Sequence, residues 1–327
     1  MKVIQTAIKQ ACVLWPVSMF PVILMFAASP ATAADETDGT IAIVKRRTAT
    51  DERLDESSGL AASRLVADRF WTHNDSGDSA RLFAIDEAGD TVAVLELQDV
   101  SAIDWEDMAS GNVFGRNILV VGDVGDNGRR RKSVFLHVLE EPQEPSPKER
   151  CRTIEFTYPD GPGDCEAIGL DAENNRVLLI KKTLLPFAGV YAVDLKFPKD
   201  KGGAVEAQRI ATLPIPMITA MDIRSDGQQM VIATYRDLFV YQRSEGTSWE
   251  QTLEQVPKQA VLPQLRQIEA VCYDADGGIW VTSERAPMPL VQIDHERFSR
   301  QTKGATGAGR GNEIGNAGNL NSPEGQH

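Results

Sequence analysis

Short apolar runs separated by polar turns fill the chain from residue 57 onward. Each run is a few residues long, and Gly, Asp, Asn and Pro cluster between successive runs, as in the segment 69–86. Long stretches with helical periodicity are absent from this region. Short strands at regular spacing are typical of all-β proteins, namely sandwiches, barrels and propellers.

Five segments share one layout, in which a polar residue and a small or acidic one precede an apolar strand, a turn and a second apolar strand. They begin at Ser58, Glu106, Glu166, Thr219 and Glu269, so the spacings are 48, 60, 53 and 50 residues. Propeller blades commonly repeat every ~40–50 residues, and insertions lengthen them. The repeats therefore favour a propeller over a sandwich or a barrel.

Four strands are predicted in each of the first four repeats, but the fifth contains only three, at 269–274, 278–283 and 289–294. A strand at 40–45 precedes all the repeats and has no partner of its own. If it completes the last blade, the sheet edges at the junction are covered. The sequence thus predicts an all-β propeller of five four-stranded blades closed by the N-terminal strand. A six-bladed ring is the alternative, and it would need a repeat that the sequence does not show.

The two ends of the chain differ from the repeats. Residues 1–33 read as a signal peptide, because Lys2 and Lys9 precede a long apolar run and Ala31-Thr32-Ala33 forms a small-x-small cleavage site. An uncleaved membrane anchor is the alternative. Residues 301–327, rich in Gly and Asn, read as a disordered tail. The expected domain is 34–300, and the expected location is periplasmic or extracellular, with no membrane span after cleavage.

The chain is acidic, with a formal net charge of −13 that becomes −15 without Lys2 and Lys9. Such a balance argues against nucleic acid and anionic membrane surfaces as partners. We expect a monomer that binds a small-molecule substrate or an envelope ligand. Three cysteines remain after cleavage, Cys151, Cys165 and Cys272. The strand order holds Cys151 and Cys165 about one strand length apart, so free thiols are predicted.

The first residues of the five repeats should form a ring around one mouth of the central channel, because the first strand of a propeller blade lines that channel. Residues two positions earlier should stack above this ring, and they include Asp104 and Asp164. Glu106, Glu166 and Glu269 would repel one another unless they are protonated or bridged by a cation. Their oxygens suit Ca²⁺, with Mg²⁺ not excluded. Alternatively, the glutamates accept hydrogen bonds from backbone amides of neighbouring blades.

The turns that follow the second strands should lie at the same rim. They carry His73, Asp75, Asp123, Asn127, Lys182 and Arg236. Asp75 and Asp123 are candidates for orienting water, and His73 for acid–base chemistry or phosphate contact. Lys182 and Arg236, with Asn127, would bind substrate. Asp78 and Asp126 also fit simple turn chemistry, while His137 is predicted to lie toward the opposite face.

Several motifs together resemble a group of secreted bacterial propellers described as esterase-like or phytase-like. The motifs are Ser57-Ser58-Gly59-Leu60, Trp71-Thr72-His73-Asn74-Asp75-Ser76-Gly77, Asp104-Trp105-Glu106-Asp107, Gly122-Asp123-Val124-Gly125-Asp126-Asn127, Tyr158-Pro159-Asp160-Gly161 and Asp164-Cys165-Glu166-Ala167. The resemblance covers most of residues 55–285 and implies an exported propeller. A looser architectural similarity, without a long shared motif, is to calcium-activated apyrases, which are five-bladed with a central calcium.

The sequence contains no serine-hydrolase elbow, Walker loop, zinc-ligand spacing or dinucleotide fingerprint. The leading hypothesis is a calcium-dependent hydrolase of phosphate esters or anhydrides, with Glu106, Glu166 and Glu269 holding the metal. The second is a non-catalytic propeller whose rim binds an envelope partner or a glycan. Hydrolysis of lactones or other esters is the third. Fold alone does not decide among them.

Overall fold

The computed structural model describes residues 40–196, 203–294 and 296–299. The predicted signal peptide and the predicted C-terminal tail lie outside these residues. The described chain begins with strand β1 (Ile43–Ala49) and then forms five small sheets in succession. No helix within the described ranges is both long and apolar enough to cross a membrane.

The sheets follow one another as the blades of a propeller. Blade 1 contains β2 (Ser57–Ala62), β3 (Arg69–Asn74), β4 (Arg81–Asp86) and β5 (Thr91–Gln98). Blade 2 contains β6 (Trp105–Val113), β7 (Arg116–Asp123), β8 (Val134–Glu140) and, after the short β9 (Lys148–Arg150), β10 (Arg152–Thr157). Blade 3 contains β11 (Cys165–Asp171), β12 (Arg176–Lys181), β13 (Ala188–Asp194) and, after the short β14 (Val205–Glu206), β15 (Gln208–Leu213).

Blade 4 contains β16 (Ile218–Ile223), β17 (Gln229–Thr234) and β18 (Asp237–Gln242), and after the single-turn helix α1 (Trp249–Thr252) comes β19 (Lys258–Val261). Blade 5 contains β20 (Ile268–Tyr273), β21 (Ile279–Ser283) and β22 (Met288–Ile293), and helix α2 (Glu296–Ser299) follows. The five-bladed architecture predicted from the repeats is confirmed.

The ring is closed by β1, as the unpartnered N-terminal strand predicted. It pairs antiparallel with β22, and Arg47 lies opposite Leu290. The strand covers residues 43–49, slightly later than the predicted 40–45. Just before it, the Ile41 amide donates a 2.8 Å hydrogen bond to the Val261 carbonyl of blade 4. The N-terminal segment therefore joins the last two blades.

Two short strands were not predicted. β9 runs parallel to β5 at the outer edge of blade 1, and β14 runs parallel to β10 at the outer edge of blade 2. β9 lies in the connection that leads to β10, the outermost strand of blade 2. In the same way, β14 lies in the connection that leads to β15, the outermost strand of blade 3. Each thus covers an exposed sheet edge of the preceding blade with a short parallel pairing.

Apolar side chains between neighbouring blades form the core. Trp71 of blade 1 packs in one cluster with Trp105 and Met108 of blade 2, and all three are buried. Phe70 of blade 1 contacts Trp280 of blade 5 with ring centroids 5.0 Å apart. Removing this apolar surface from water stabilises the ring at roughly 25 cal/mol for each Å² buried. Cys151, Cys165 and Cys272 are free thiols, as predicted.

A β-bulge interrupts the first strand of every blade at the same point. The pairing register shifts between the residues that flank Ser58, Glu106, Glu166, Thr219 and Glu269. A bulge leaves one residue unpaired and changes the direction of its side chain. The five ring positions predicted from the repeats are therefore the five bulged residues.

Two buried aspartates connect the inner strands of different blades. Asp107 accepts hydrogen bonds from the amides of Met108 (2.8 Å), Ile168 (2.9 Å) and Met221 (3.3 Å), which belong to blades 2, 3 and 4. Asp222 accepts from Ile223 of its own blade and from Tyr273 of blade 5, both at 2.8 Å. The sequence left open that the ring glutamates accept hydrogen bonds from amides of neighbouring blades. In the structure, Asp107 and Asp222 accept such bonds.

Candidate functional site

Five carboxylates converge where the inner strands of blades 2 and 3 begin. Asp75, Asp104 and Glu106 form one group, and Glu106, Asp164 and Glu166 form a second. In each group, one oxygen per residue lies within 4.8 Å of the others. Glu106 belongs to both groups, so we call the set the carboxylate cluster.

The cluster has the chemistry of a hard-cation site. Its ligand atoms are all carboxylate oxygens, with no thiolate or imidazole in either group. Two oxygens on one Ca²⁺ ion lie up to about 5 Å apart, since each Ca–O distance is about 2.3–2.6 Å. The observed grouping fits that limit. The donor set is therefore compatible with Ca²⁺, and it does not distinguish Ca²⁺ from Mg²⁺.

Crowding and burial perturb the acids of the cluster. Burial raises the pKa of Glu106 well above its usual value, and the charges of Glu166, Asp75 and Asp104 raise it further. Burial and the charges of Asp75 and Asp164 raise the pKa of Asp104 to about 6. The pKa of Glu166 is about 7, because burial outweighs the opposing effect of Lys182. Protons or a cation must therefore neutralise part of this charge at neutral pH.

Gly125 forms a wall of the cluster. A Cβ atom at this position would overlap Glu106 Oε1 and would lie 2.6 Å from Asp104 Cγ. The Gly125 amide also donates a 3.1 Å hydrogen bond to the Asp104 carbonyl. Only glycine lets the backbone approach the two carboxylates this closely.

If the carboxylate cluster binds Ca²⁺, Gly125→Ala should weaken that binding by about tenfold or more, because the added methyl group must displace Glu106 or Asp104. Isothermal titration with CaCl₂ measures the effect. Gly128→Ala is the matched control, since a Cβ there meets its nearest atom at 3.6 Å, an ordinary contact. Equal affinities of the two variants would contradict the role of Gly125.

Lys182 is the cation nearest the cluster among the described residues. Its Nζ lies 2.9 Å from Glu166 Oε2 and donates a 2.9 Å hydrogen bond to the Tyr235 hydroxyl. Burial alone would lower the pKa of Lys182, but Glu166 and Tyr235 raise it, so the ammonium stays charged. The predicted position of Lys182 beside the glutamates is confirmed by this contact.

Glu269 belongs to neither carboxylate group. It is buried, and burial raises its pKa to about 8, with Glu166 and Glu284 adding to the effect and Lys182 opposing it. The predicted set of Glu106, Glu166 and Glu269 is therefore brought together only in part. Asp164, Asp104 and Asp75 complete the groups, and the first two had been placed above the ring from the two-residue spacing.

His73 and Asp123 are buried in the blade rather than open on the rim. His73 is 0% exposed, its Nδ1 lies 2.9 Å from the Asn74 carbonyl, and its ring packs edge-on against Trp105. Burial lowers its pKa. Strand β3 continues to Asn74 and β7 to Asp123, so both residues are still in the sheet ladder. Neither side chain has the access to solvent that the rim prediction assumed.

Asp123 is held by groups that the sequence did not connect to it. Arg131 Nη2 lies 2.6 Å from Asp123 Oδ1, and His137 Nε2 lies 3.7 Å from Oδ2. Although burial opposes them, His137 and Arg131 hold the pKa of Asp123 below its usual value. The prediction that His137 lies toward the opposite face was wrong, because β8 begins opposite Asp123. The basic run at 129–132 was the available signal for Arg131.

The remaining predicted residues lie at turns. Asn127 and Arg236 are exposed, after β7 and β17 respectively. Asp126 accepts hydrogen bonds from the amides of Arg130 (2.8 Å) and Arg131 (3.0 Å). Asp78 accepts from Arg81 Nε at 2.8 Å. The side chains of Asp78 and Asp126 therefore stabilise the turns in which they lie.

A groove of about 210 Å³ adjoins the cluster between blades 2 and 3. Asp164 and Lys182 line its inner side, and Arg129, Lys181 and Arg209 are among its other walls. Lys181 already has a partner, because its Nζ donates a 2.7 Å hydrogen bond to Asp160. The groove thus presents several cations directly beside the carboxylates.

Two buried acids, Glu166 of the cluster and Glu269 outside it, make stability depend on pH. In cation-free protein, the folded-state pKa values of Glu166 (about 7) and Glu269 (about 8) exceed the ordinary value of 4.5. Between pH 4.5 and 8 the folded state binds more protons than the unfolded state, so the free energy of unfolding falls as pH rises. We expect a loss on the order of 1 kcal/mol or more for each acid.

Thermal melts in EDTA at pH 5, 6, 7 and 8 should therefore show a falling Tm. Melts with CaCl₂ should show a calcium-induced rise in Tm that grows with pH, since the ion competes with protons. A calcium effect that is equal at pH 5 and pH 8 would contradict the assigned shifts.

Comparisons with known proteins identify no family. The chain matches no protein family and no curated protein. It is similar to the solved structures of the Dos1 propeller (12% identity), U3-55K (13%) and Kuenenia stuttgartiensis hydrazine synthase (10%), each with a TM-score of 0.36. The matches cover 72%, 72% and 69% of this chain, and 59%, 67% and 61% of those chains. Similarity this low carries no information about function.

Proposed function

We propose that this five-bladed propeller is a calcium-dependent hydrolase of phosphate esters or anhydrides. The observation that carries the proposal is the pair of three-carboxylate groups sharing Glu106. Carboxylates that crowd together at the cost of raised pKa values are typical of sites that bind a cation or perform acid–base chemistry. Export to the periplasm or the cell exterior, as expected from residues 1–33, would expose the site to external calcium.

One of the two groups would hold the ion, either Asp75, Asp104 and Glu106 or Glu106, Asp164 and Glu166. When bound, Ca²⁺ would supply electrostatic stabilisation of charge that develops on phosphate oxygens. Asp75 is half-buried, as Asp104 is, and would accept a proton from an attacking water. His73 and Asp123 take no direct part in this proposal, because their side chains are buried.

The cations beside the cluster suit an anionic substrate. Lys182 is charged and lies at the junction of the cluster and the groove. Arg129 and Arg209 are exposed and line the groove, and Arg209 Nη1 lies 3.9 Å from Asp160 Oδ2. Together they would bind phosphate groups and orient the scissile bond toward Asp75.

The test is hydrolysis by purified protein of p-nitrophenyl phosphate, ATP and phytate, with CaCl₂ and with EDTA. We expect calcium-dependent release of phosphate from at least one of them and a lower Tm in EDTA. Failure on all three substrates, together with a Tm that EDTA leaves unchanged, would rule out the proposal.

A binding role for the same rim is the second candidate, and an exposed apolar loop favours it. Leu184, Leu185 and Phe187 are 81%, 63% and 68% exposed beside the groove. Contiguous exposed apolar side chains often mark a protein interface. We propose an envelope protein as the partner. Loss of one co-purifying protein in the Leu184→Ser/Phe187→Ser double variant, but not in Glu106→Gln, would support this role.

A further inference from the structure

A second and larger cavity lies at the other end of the inner strands. It has a volume of about 810 Å³ and is lined by segments from blades 1 to 4 that end or follow β2, β6, β11, β16 and β18, together with Asn117 of β7. The carboxylate cluster lies where β6 and β11 begin, so the two sites occupy opposite mouths of the channel. We call this second site the lower cavity. Its volume is in the range of small-molecule binding sites.

Arg64 is held firmly at the wall of the lower cavity. Buried Glu141 accepts hydrogen bonds from the Arg64 amide (2.8 Å) and from Trp71 Nε1 (2.9 Å), which fixes the backbone. The guanidinium donates from Nε to Ser110 Oγ (3.0 Å) and from Nη2 to the Ser110 carbonyl (3.1 Å). Among the described residues, none accepts a hydrogen bond from Nη1 or from the second hydrogen of Nη2, so these remain as a pre-oriented pair of donors.

The other two arginines of the lower cavity are already paired. Arg224 Nη2 lies 2.7 Å from Asp226, and Arg243 forms an ion pair with Glu173. Within residues 40–196 and 203–294, no carboxylate lies in ion-pair contact with Arg64, although its charge opposes the burial that raises the pKa of Asp222. A guanidinium fork matches a carboxylate in shape and charge, so the lower cavity offers a place for one acidic group of a ligand.

The rest of the lining suits a polyhydroxylated molecule. Side-chain amides and hydroxyls line the space, including Asn112, Asn174, Gln228 and Ser244, and three acids, Glu173, Asp226 and Glu245, line it as well. Leu170 and Ile223 add a small apolar surface at the strand ends. Sugar rings present hydroxyl groups at their edges and C–H groups on their faces, and this lining matches both.

We propose that the lower cavity binds a short acidic saccharide whose carboxylate pairs with Arg64. The site is separate from the proposed hydrolase centre and does not depend on it. Trigalacturonate fits the description, because it carries hydroxyls, carboxylates and C–H faces. Its fully methyl-esterified form is a neutral counterpart of the same length.

The experiment is ligand-observed NMR titration of the full-length mature protein with trigalacturonate, its methyl ester and inorganic phosphate. We expect trigalacturonate to bind at least roughly tenfold more tightly than the ester, and Arg64→Gln to remove that preference. Arg64→Lys should restore it only in part, since lysine lacks the planar fork. Arg47→Gln, on the exposed face of β1, is the matched control and should bind like wild type.

Ser225→Trp gives a second variant that does not involve the network of Arg64. Ser225 is exposed and lines the lower cavity, so tryptophan should block the space and abolish binding. Glu106→Gln should bind the saccharide normally. Equal binding of acid and ester, unchanged binding by Arg64→Gln or Ser225→Trp, or binding of phosphate alone would overturn the proposal.

Discussion

Glu106→Gln is expected to abolish the calcium-dependent rise in Tm and any calcium-dependent hydrolysis of phosphate. Glu106 is the one residue shared by both carboxylate groups, so its replacement removes a charged ligand from each. In EDTA the same variant should be more stable than wild type, because a buried carboxylate with repelling neighbours is replaced by a neutral amide. Opposite changes in the two conditions distinguish cation binding from simple loss of structure.

Glu269→Gln is the matched control. It makes the same change at the corresponding bulge of blade 5, where the side chain is also buried but belongs to neither group. It should raise the Tm in EDTA and retain the calcium response. If Glu269→Gln removes the calcium response while Glu106→Gln preserves it, the ion lies elsewhere in the ring.

Asp107→Ala is expected to have the largest effect on the stability of the fold. The carboxylate accepts three backbone amides from three blades, and the substitution leaves all of them buried without an acceptor. Each unsatisfied amide costs about 1–3 kcal/mol, so we expect a loss of about 3 kcal/mol or more in the free energy of unfolding. Chemical denaturation by urea, followed by tryptophan fluorescence, measures it.

Two other substitutions test the reason for that loss. Asp222→Ala leaves only two amides without an acceptor, those of Ile223 and Tyr273, so it should lower the free energy of unfolding by less. Asp86→Ala changes an aspartate at the hairpin between β4 and β5, which accepts only the Asp90 amide, and should cost least. A loss in Asp107→Ala no greater than that in Asp86→Ala would show that the interblade bonds contribute little.

The blades could be predicted from the sequence because their signals are local. Alternating apolar runs and turn residues located β20, β21 and β22 to within one residue of their ends. β9 and β14 escaped prediction, since a parallel pairing of two or three residues depends on where a long connection passes. The capping box of Ser248 and Gln251 at α1 was a readable signal that the strand pattern obscured.

The location of the candidate site could be predicted from the sequence, but only some of its residues could. The glutamates stood out as repeated acids, but a bulge depends on pairing between strands and leaves no mark in one strand alone. Two-residue spacing brought Asp104 and Asp164 near the ring. The burial of His73 and Asp123 was missed because one additional residue of strand keeps a side chain inside the sheet. The contact of Arg131 with Asp123 spans a turn of irregular structure.

Closure by β1 also sets the order in which the molecule can be completed. Ile43 pairs with Ile293, so one partner is synthesised near the start of the domain and the other near its end. At about 5–20 residues per second, β1 is synthesised tens of seconds before its partner β22. During that time its hydrogen-bonding groups are open to other strands, and most of its side chains are exposed even in the finished ring. A chaperone that binds β1 before β22 is available would therefore prevent it from pairing with strands of other chains.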